Sequence, residues 1–244
     1  MSEEIPLFFD FGGTLVDTIE VTRRAFNEVL GTEYTTEDIK QMYKDASQKK
    51  QSISLLIKYK VNPAKLAIKQ KKIRERQKDL FLDSISLNKN ANEVLKKIRS
   101  LDDNLSLILV TQNPMMEDEE YSKKALNKLF EGEHPFDLIL AGEDKFHLIF
   151  HNIEPDVLAR GVLIGDLPND VYVAEMLKIP CFGVTWGYSE EGELDTPFIA
   201  DEMHHLIDMV EDHIEDLKEV KDEEIEEIEF EDIELDSDDF ELSE

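Results

Sequence analysis

The 244-residue sequence has a single cysteine and no apolar run as long as a membrane span. Because Cys181 has no partner in the chain, an intramolecular disulfide is excluded, and we expect a cytoplasmic protein. The apolar runs fall well short of the roughly 20 residues that cross a bilayer. The first residues, MSEE, are acidic where a secretory signal peptide is basic, so we expect no signal peptide.

Basic residues are also scarce, since 27 lysines and arginines stand against 56 acids, a net charge of −29. Such a chain repels nucleic acid phosphates and anionic lipids, so we expect neither nucleic acid nor a membrane as a partner. The imbalance is uneven, because residues 211–244 hold 19 acids and only two lysines. This charge density predicts a solvated, largely disordered acidic tail over 211–244.

Five short apolar runs bounded by turn residues predict buried parallel strands. Helical patterns lie between most of them, as over residues 119–130, where the apolar side chains share one face. Strands that alternate with helices are typical of a doubly wound α/β sheet, which is the fold class we predict. The predicted strands span residues 5–9, 105–110, 137–141, 161–164 and 181–185.

The interval between the first two strands is too long for a crossover helix. It contains helix patterns but no convincing strand, with Thr36 placed to cap one helix and Asn62-Pro63 to open another. We therefore predict an inserted helical domain over 17–91 and a core formed by 1–16 and 92–210. Its basic run, Lys69 to Lys78, is expected to be a solvated helix face; a sharper hypothesis docks the acidic tail or an anionic substrate there.

Polar side chains follow three of the predicted strands, at the edge where ligands bind in an open parallel sheet. Asp10 follows the first strand, Thr111 the second, and Asp166 the fourth, with Asp170 one helical turn later. Carboxylates brought together repel one another unless a proton or a cation joins them. Mg²⁺, a hard cation that takes oxygen ligands, fits such a group, and a tetrahedral anion could bridge the metal and the Thr111 hydroxyl.

Four segments, DFGGTLVDT, LSLILVT, AGEDKF and GDLPND, resemble in this order the four motifs of the haloacid dehalogenase-like hydrolase superfamily. Most of its members are Mg²⁺-dependent phosphatases. The segment VTWGY, residues 184–188, is similar to the one that follows the last motif in phosphoglycolate phosphatase-like members. The resemblance covers about residues 5–210, includes a helical cap between the first two motifs, and implies a Mg²⁺-dependent hydrolase of a small phosphorylated substrate.

The resemblance implies a nucleophile and a set of metal ligands. Asp10 would form an aspartyl-phosphate, with its other carboxylate oxygen on Mg²⁺. Asp166 and Asp170 would hold the same ion directly or through water, and the backbone carbonyl of Gly12 would complete its ligands. Taken singly, Asp10 also suits a turn, and Asp170 suits the first turn of a helix.

Phosphoryl binding is implied in the same way. Thr111 and its neighbour Gln112 would bind the phosphoryl group, and Lys145 would bind it and offset the charge that develops on it. Alternatives stay open for two of these residues. Thr111 also suits a helix cap before Asn113-Pro114, and Lys145 lacks the proline-rich continuation usual in the family, which leaves a solvated lysine as a second interpretation.

Position 12 departs from the family pattern. Family phosphatases carry there an aspartate that protonates the leaving oxygen and later activates water, whereas this chain has Gly12. Such acid–base catalysis is worth about 10²–10⁴-fold, so alkyl phosphates are expected to turn over poorly. Three interpretations stay open: a phosphatase for good leaving groups, a phosphonatase- or dehalogenase-like hydrolase, or a catalytically weak protein that binds phosphate and metal.

Overall fold

The structure is a computed structural model that describes residues 3–47, 58–59, 63–190 and 192–219. Its strands pair in parallel throughout, in one six-stranded sheet. They are β1 Ile5–Asp10, β2 Leu105–Thr111, β3 Leu138–Ala141, β4 Val162–Gly165, β5 Cys181–Val184 and β6 Phe198–Ala200. The order is β3-β2-β1-β4-β5-β6, which confirms the doubly wound α/β class and places β1 at the point where the order reverses.

Helices occupy most of the described chain between the strands. They are α1 Ile19–Leu30, α2 Thr36–Ser47, α3 Pro63–Ser84, α4 Ala91–Arg99, α5 Glu119–Leu129, α6 Lys145–Asn152, α7 Pro155–Leu158, α8 Pro168–Leu177 and α9 His205–Glu219. None of the helices in the described ranges combines the length and the apolar character needed to cross a bilayer.

Both faces of the sheet are buried, which explains why the strands read as continuous apolar runs. Leu7 and Phe9 of β1 pack in one core cluster with α4, α5 and α9, whereas Phe8 packs in a second cluster with α6, α7 and α8. Successive side chains of a strand point to opposite faces, so β1 contributes to both clusters. The strand is thereby fixed in the middle of the molecule, and its carboxyl end cannot shift without disturbing both faces.

Helices α1, α2 and α3 all lie between β1 and β2, as the length of that interval led us to expect. Lys65 and Lys69 of α3 donate to the carbonyls of Leu30 and Val29 at the end of α1, where free backbone acceptors attract cations. Arg76 adds an ion pair to Glu28 at 2.6 Å. The basic run is therefore only partly solvated, since two of its members, Lys69 and Arg76, bind α3 to α1.

Three details differ from the sequence-based expectations. Thr35 rather than Thr36 caps α2, because its Oγ1 accepts from the Asp38 amide at 3.1 Å and the Asp38 carboxylate accepts from the Thr35 amide at 2.8 Å. The edge strand β6 was not expected, because three residues are too few to form a recognisable pattern. Residues 211–219 do not belong to a disordered tail but continue α9, where Ile214 is buried.

The acidic segment 220–244 lies outside the described residues. Its predicted disorder, and its docking on the basic run or on a basic partner, stay predictions. Within the described residues, α9 packs through an apolar face, since Leu206, Val210 and Ile214 recur at helical intervals and pack into the core.

The packing of α9 against the core predicts the effect of substitutions in this helix. Ile214→Ala should lower the free energy of unfolding by about 2–5 kcal/mol, because it removes a buried branched side chain from the core. Glu215→Ala, at an exposed position of the same turn, should change it by no more than about 0.5 kcal/mol. Urea denaturation measures both variants, and equal effects would contradict the placement of this turn against the core.

Candidate active site

Three carboxylates meet at the carboxyl edge of the sheet. Asp10 ends β1, Asp166 follows β4, and Asp170 lies in the first turn of α8. Each offers a carboxylate oxygen, and these oxygens all lie within 4.8 Å of one another. All three residues are buried, at 5% exposure or less. The arrangement follows from the sheet order, because β1 and β4 are neighbours and end at the same edge.

Lys145 completes this carboxylate cluster. It is the first residue of α6, and its Nζ lies 2.5 Å from Asp10 Oδ1 and 2.5 Å from Asp170 Oδ1. The side chain is only 4% exposed, so the solvated-lysine interpretation is wrong. Burial by itself would lower the pKa of Lys145, but the carboxylates of Asp10 and Asp170 outweigh it and raise the pKa above its usual range. The residue is therefore a permanent cation.

Asp166 is held by donors that follow directly from the local sequence. Thr14 Oγ1 donates to Asp166 Oδ1 at 2.9 Å, and the Tyr188 amide donates to Oδ2 at 2.7 Å. A Cβ at Gly13 would lie 2.2 Å from Oδ2, and one at Gly187 would lie 2.3 Å from it. Neither position can accept a side chain, which gives a steric reason for glycine on both sides of this carboxylate.

With all three carboxyl groups ionised, the cluster would carry more negative than positive charge, since they face one lysine. Burial raises the pKa of Asp10 to about 6, against the opposing effect of Lys145. Burial also raises the pKa of Asp166 well above its usual range, and the charges of Asp10 and Asp170 add to that effect. Buried oxygen ligands with unbalanced negative charge are the surroundings that a hard divalent cation favours, so these residues fit Mg²⁺.

Asp10 lines a partly open cavity of about 200 Å³ between the sheet edge and the inserted helices. Thr111 lines it, is 2% exposed, and accepts from the Asn113 amide at 3.1 Å. That contact closes a local turn; the cap of the following helix α5 is Asp118 instead. The cavity wall on the side of α1, α2 and α3 consists of Thr18, Val21, Thr22, Tyr43, Gln77 and Phe81.

The two other residues predicted for the site lie at the same cavity. Gln112 is exposed at its rim, where its side-chain amide donates to the Glu143 carbonyl at 2.6 Å. Gly12 lines the cavity beside Asp10, and a Cβ added there would meet only ordinary van der Waals contacts. Substrate binding by Gln112 and metal binding by the Gly12 carbonyl stay predictions.

Several residues that shape the site were not identified from the sequence patterns. Thr14 follows the two glycines of the first motif, and its hydroxyl reaches Asp166 across the sheet edge. Trp186 Nε1 donates to the Thr14 carbonyl at 2.9 Å, which ties the segment after β5 to the loop after β1. Tyr188 belongs to the quoted VTWGY segment, but its place beside Gly12 depends on a contact between distant parts of the chain.

A second group of potential ligands lies on the surface. Glu202, His204 and His205 each offer an atom within 4.8 Å of the others, but two of them are exposed and one is half-buried. His204 pairs with Glu202 at 3.2 Å and His205 with Asp201 at 2.6 Å. Solvated pairs of this kind are common without any ion, so this group serves as a control for the buried cluster.

Known proteins with similar sequences belong to a family of hydrolases. The model of the haloacid dehalogenase-like hydrolase family matches residues 7–184. A curated phosphoglycolate phosphatase from Psychrobacter arcticus is 27% identical to the chain, over 75% of this chain and 84% of that protein. The family match spans both the cluster residues and the helices between β1 and β2.

Solved structures share the fold. A haloacid dehalogenase-like hydrolase from Streptococcus pneumoniae superimposes with a TM-score of 0.68 at 20% identity, over 86% of this chain and 99% of that chain. CbbY from Rhodobacter sphaeroides, solved with phosphate, gives a TM-score of 0.61 at 21% identity, over 82% and 95%. A CbbY mutant solved with xylulose-1,5-bisphosphate gives 0.58 at 20% identity, over the same shares of the two chains.

The electrostatics of the cluster predict proton release on metal binding. Because burial raises the pKa of Asp10 to about 6, roughly half of the protein molecules hold a proton on the Asp10 carboxyl group at pH 6. A cation that binds there must displace this proton. Calorimetric titration with Mg²⁺ in buffers of different ionisation enthalpy should show more protons released at pH 6 than at pH 8.

Matched variants assign the metal to one of the two groups. Asp166→Asn should weaken Mg²⁺ binding about tenfold or more, because it removes a charged ligand from the buried cluster. His204→Asn, in the surface group, should leave the affinity unchanged. The reverse pattern would place the metal at the surface and contradict the assignment.

Proposed function

The chain belongs to the haloacid dehalogenase-like hydrolase family, and on that premise we propose that it is a Mg²⁺-dependent phosphatase that works through an aspartyl-phosphate on Asp10. The observation that carries the proposal is the contact of Asp10 with Lys145 in a partly open cavity. A carboxylate there is buried, oriented and charged, which are the properties required of a nucleophile.

Asp10 would attack the phosphorus atom on the side opposite the ester oxygen. A bond forms between the carboxylate and phosphorus while the bond to the ester oxygen breaks, and water later releases inorganic phosphate and restores the carboxylate. Lys145 and the Thr111 hydroxyl, which line the cavity with Asp10, would hold the transferred phosphoryl oxygens. Mg²⁺, held by Asp10, Asp166 and Asp170 with the Gly12 carbonyl, would neutralise charge on the same oxygens when bound.

The inserted helices, α1 to α3, would act as the helical cap that selects the substrate. Their side chains form one wall of the cavity, and its volume of about 200 Å³ suits a small phosphorylated metabolite. The relatives support this substrate class, since one is a phosphoglycolate phosphatase and another was solved with a sugar bisphosphate. We place the enzyme in the cytoplasm, in keeping with its single, buried cysteine.

Gly12 supports a second candidate, a protein that binds phosphate and metal but turns over slowly. The phosphonatase-like alternative is less well supported, because it requires a lysine in the cap that forms an imine with the substrate. Among the described residues that line the cavity, the one lysine is Lys145, and its amine is occupied by two carboxylates. The dehalogenase-like alternative works without a metal, whereas this cluster fits one.

Hydrolysis of 4-nitrophenyl phosphate tests the proposed activity. The protein should release phosphate only with Mg²⁺, and Asp10→Asn should abolish turnover because the amide is not a nucleophile. Asp103→Asn, a matched change at an exposed position, should keep the wild-type rate. No turnover, combined with a rise in Tm on adding phosphate and Mg²⁺, would instead establish the binding protein.

A substitution at position 12 tests the consequence of the missing carboxylate. A Cβ at this position would lie 3.4 Å from Thr18 Oγ1 and 3.5 Å from the Tyr188 hydroxyl, which are ordinary van der Waals contacts. Gly12→Asp should raise turnover of alkyl phosphates about tenfold or more, since it restores a general acid. Gly12→Ala controls for the added bulk and should give no gain. An unchanged rate in Gly12→Asp would mean that another group already transfers a proton to the leaving oxygen.

A further inference from the structure

A row of hydroxyl groups lines the cavity that holds Asp10. The hydroxyls of Thr18 and Tyr188 are hydrogen-bonded to each other, and those of Thr22 and Tyr43 are bonded at 2.9 Å. The rings of Tyr43 and Tyr188 are stacked, with centroids 4.9 Å apart and an angle of 15° between their planes. The row thus joins α1 and α2 to the segment after β5.

The Tyr188 hydroxyl lies at the place that Gly12 leaves without a side chain. It would be 3.5 Å from a Cβ at position 12, two residues beyond Asp10. Two hydrogen bonds fix the backbone around Tyr188. The Tyr188 amide donates to Asp166 at 2.7 Å, and the Trp186 indole donates to the Thr14 carbonyl at 2.9 Å. With the ring stacked on Tyr43, the phenolic oxygen of Tyr188 has a fixed position beside Gly12.

The hydrogen of Tyr188 can be directed into the cavity. Two hydroxyls bonded to each other use one hydrogen between them, and the second remains for another acceptor. When Thr18 donates to Tyr188, the phenolic hydrogen is the one that remains. An oxygen that enters the cavity beside Gly12 would therefore receive a hydrogen bond from Tyr188, which Thr18 strengthens by donating to the same phenolic oxygen.

We propose that Tyr188, supported by Thr18, donates a hydrogen bond to the ester oxygen of the substrate, in the position left open by Gly12. This inference rests on the proposed phosphatase function. As the Asp10 carboxylate bonds to phosphorus, the ester oxygen departs with the electron pair of its broken bond and then takes a proton from water. A donor aimed at this oxygen binds it more strongly as its charge grows, so the hydrogen bond favours the transition state.

The dependence of the rate on the leaving group tests the proposal. In a series of substituted phenyl phosphates the shape of the substrate is nearly constant while the charge on the departing oxygen changes. Tyr188→Phe keeps the ring on Tyr43 and removes only the hydroxyl. It should lower kcat/KM for unsubstituted phenyl phosphate about 100-fold, and for 4-nitrophenyl phosphate no more than about threefold, because the nitro group already stabilises the leaving charge.

Two further variants separate this role from a loss of structure. Tyr121→Phe removes a hydroxyl that donates to the Lys78 carbonyl at 2.8 Å, away from the cavity lining, and should leave the whole series unchanged. Thr18→Val should steepen the dependence on the leaving group in the same sense as Tyr188→Phe, but by a smaller factor. Adding Gly12→Asp to Tyr188→Phe should restore the rate for phenyl phosphate.

The outcomes distinguish this inference from the function on which it rests. If Tyr188→Phe lowers the rates of all esters by one common factor, or of none, while the wild type is active, Tyr188 does not serve the leaving oxygen. If Tyr188→Phe does not fold, the slope measured for Thr18→Val decides in its place. A folded wild type that hydrolyses no ester in the presence of Mg²⁺ overturns the proposed function, and this inference with it.

Discussion

The structure depends on the burial of three carboxylates around one lysine at the end of β1. Lys145 contacts Asp10 and Asp170 at 2.5 Å, and Asp166 lies beside them with no ion pair to any residue in the described part of the chain. Removing such charges from water is costly unless each finds a partner. The glycines beside Asp166 leave room for its carboxylate, and the Thr14 hydroxyl and the Tyr188 amide donate to it. A divalent cation would offset the remaining negative charge.

The sequence was sufficient to predict five of the six strands and the convergence of their polar ends. Asp10, Thr111 and Asp166 each follow an apolar run, and parallel strands that share an edge must bring such residues together. Pattern reasoning was weaker for Lys145, because a lysine at the start of a helix looks the same in sequence whether it is solvated or buried. Its burial is decided by α6 packing against the sheet beside Asp10 and Asp170.

The remaining features depend on contacts that no local pattern encodes. Tyr188 stands far from Gly12 along the chain, and only the pairing of β4 with β5 brings its hydroxyl to that position. The start of the acidic tail was also misplaced at 211, because the high acidic content after that residue concealed the helical spacing of the few apolar side chains of α9. In both cases tertiary packing, which no local pattern reveals, determines where the residues lie. The sequence showed that Gly12 lacks a carboxylate but not which group stands in its place.

Chemical trapping tests the central claim, the nucleophilic role of Asp10, most directly. A phosphate ester and Mg²⁺ are mixed with the enzyme, the reaction is quenched within one turnover, and borohydride reduces any acyl phosphate to the alcohol. Peptide mass spectrometry should then find homoserine at position 10, because an aspartyl-phosphate is reduced to that residue. Turnover that leaves Asp10 unmodified, or that places the reduced residue at Asp166 or Asp170, would contradict the account.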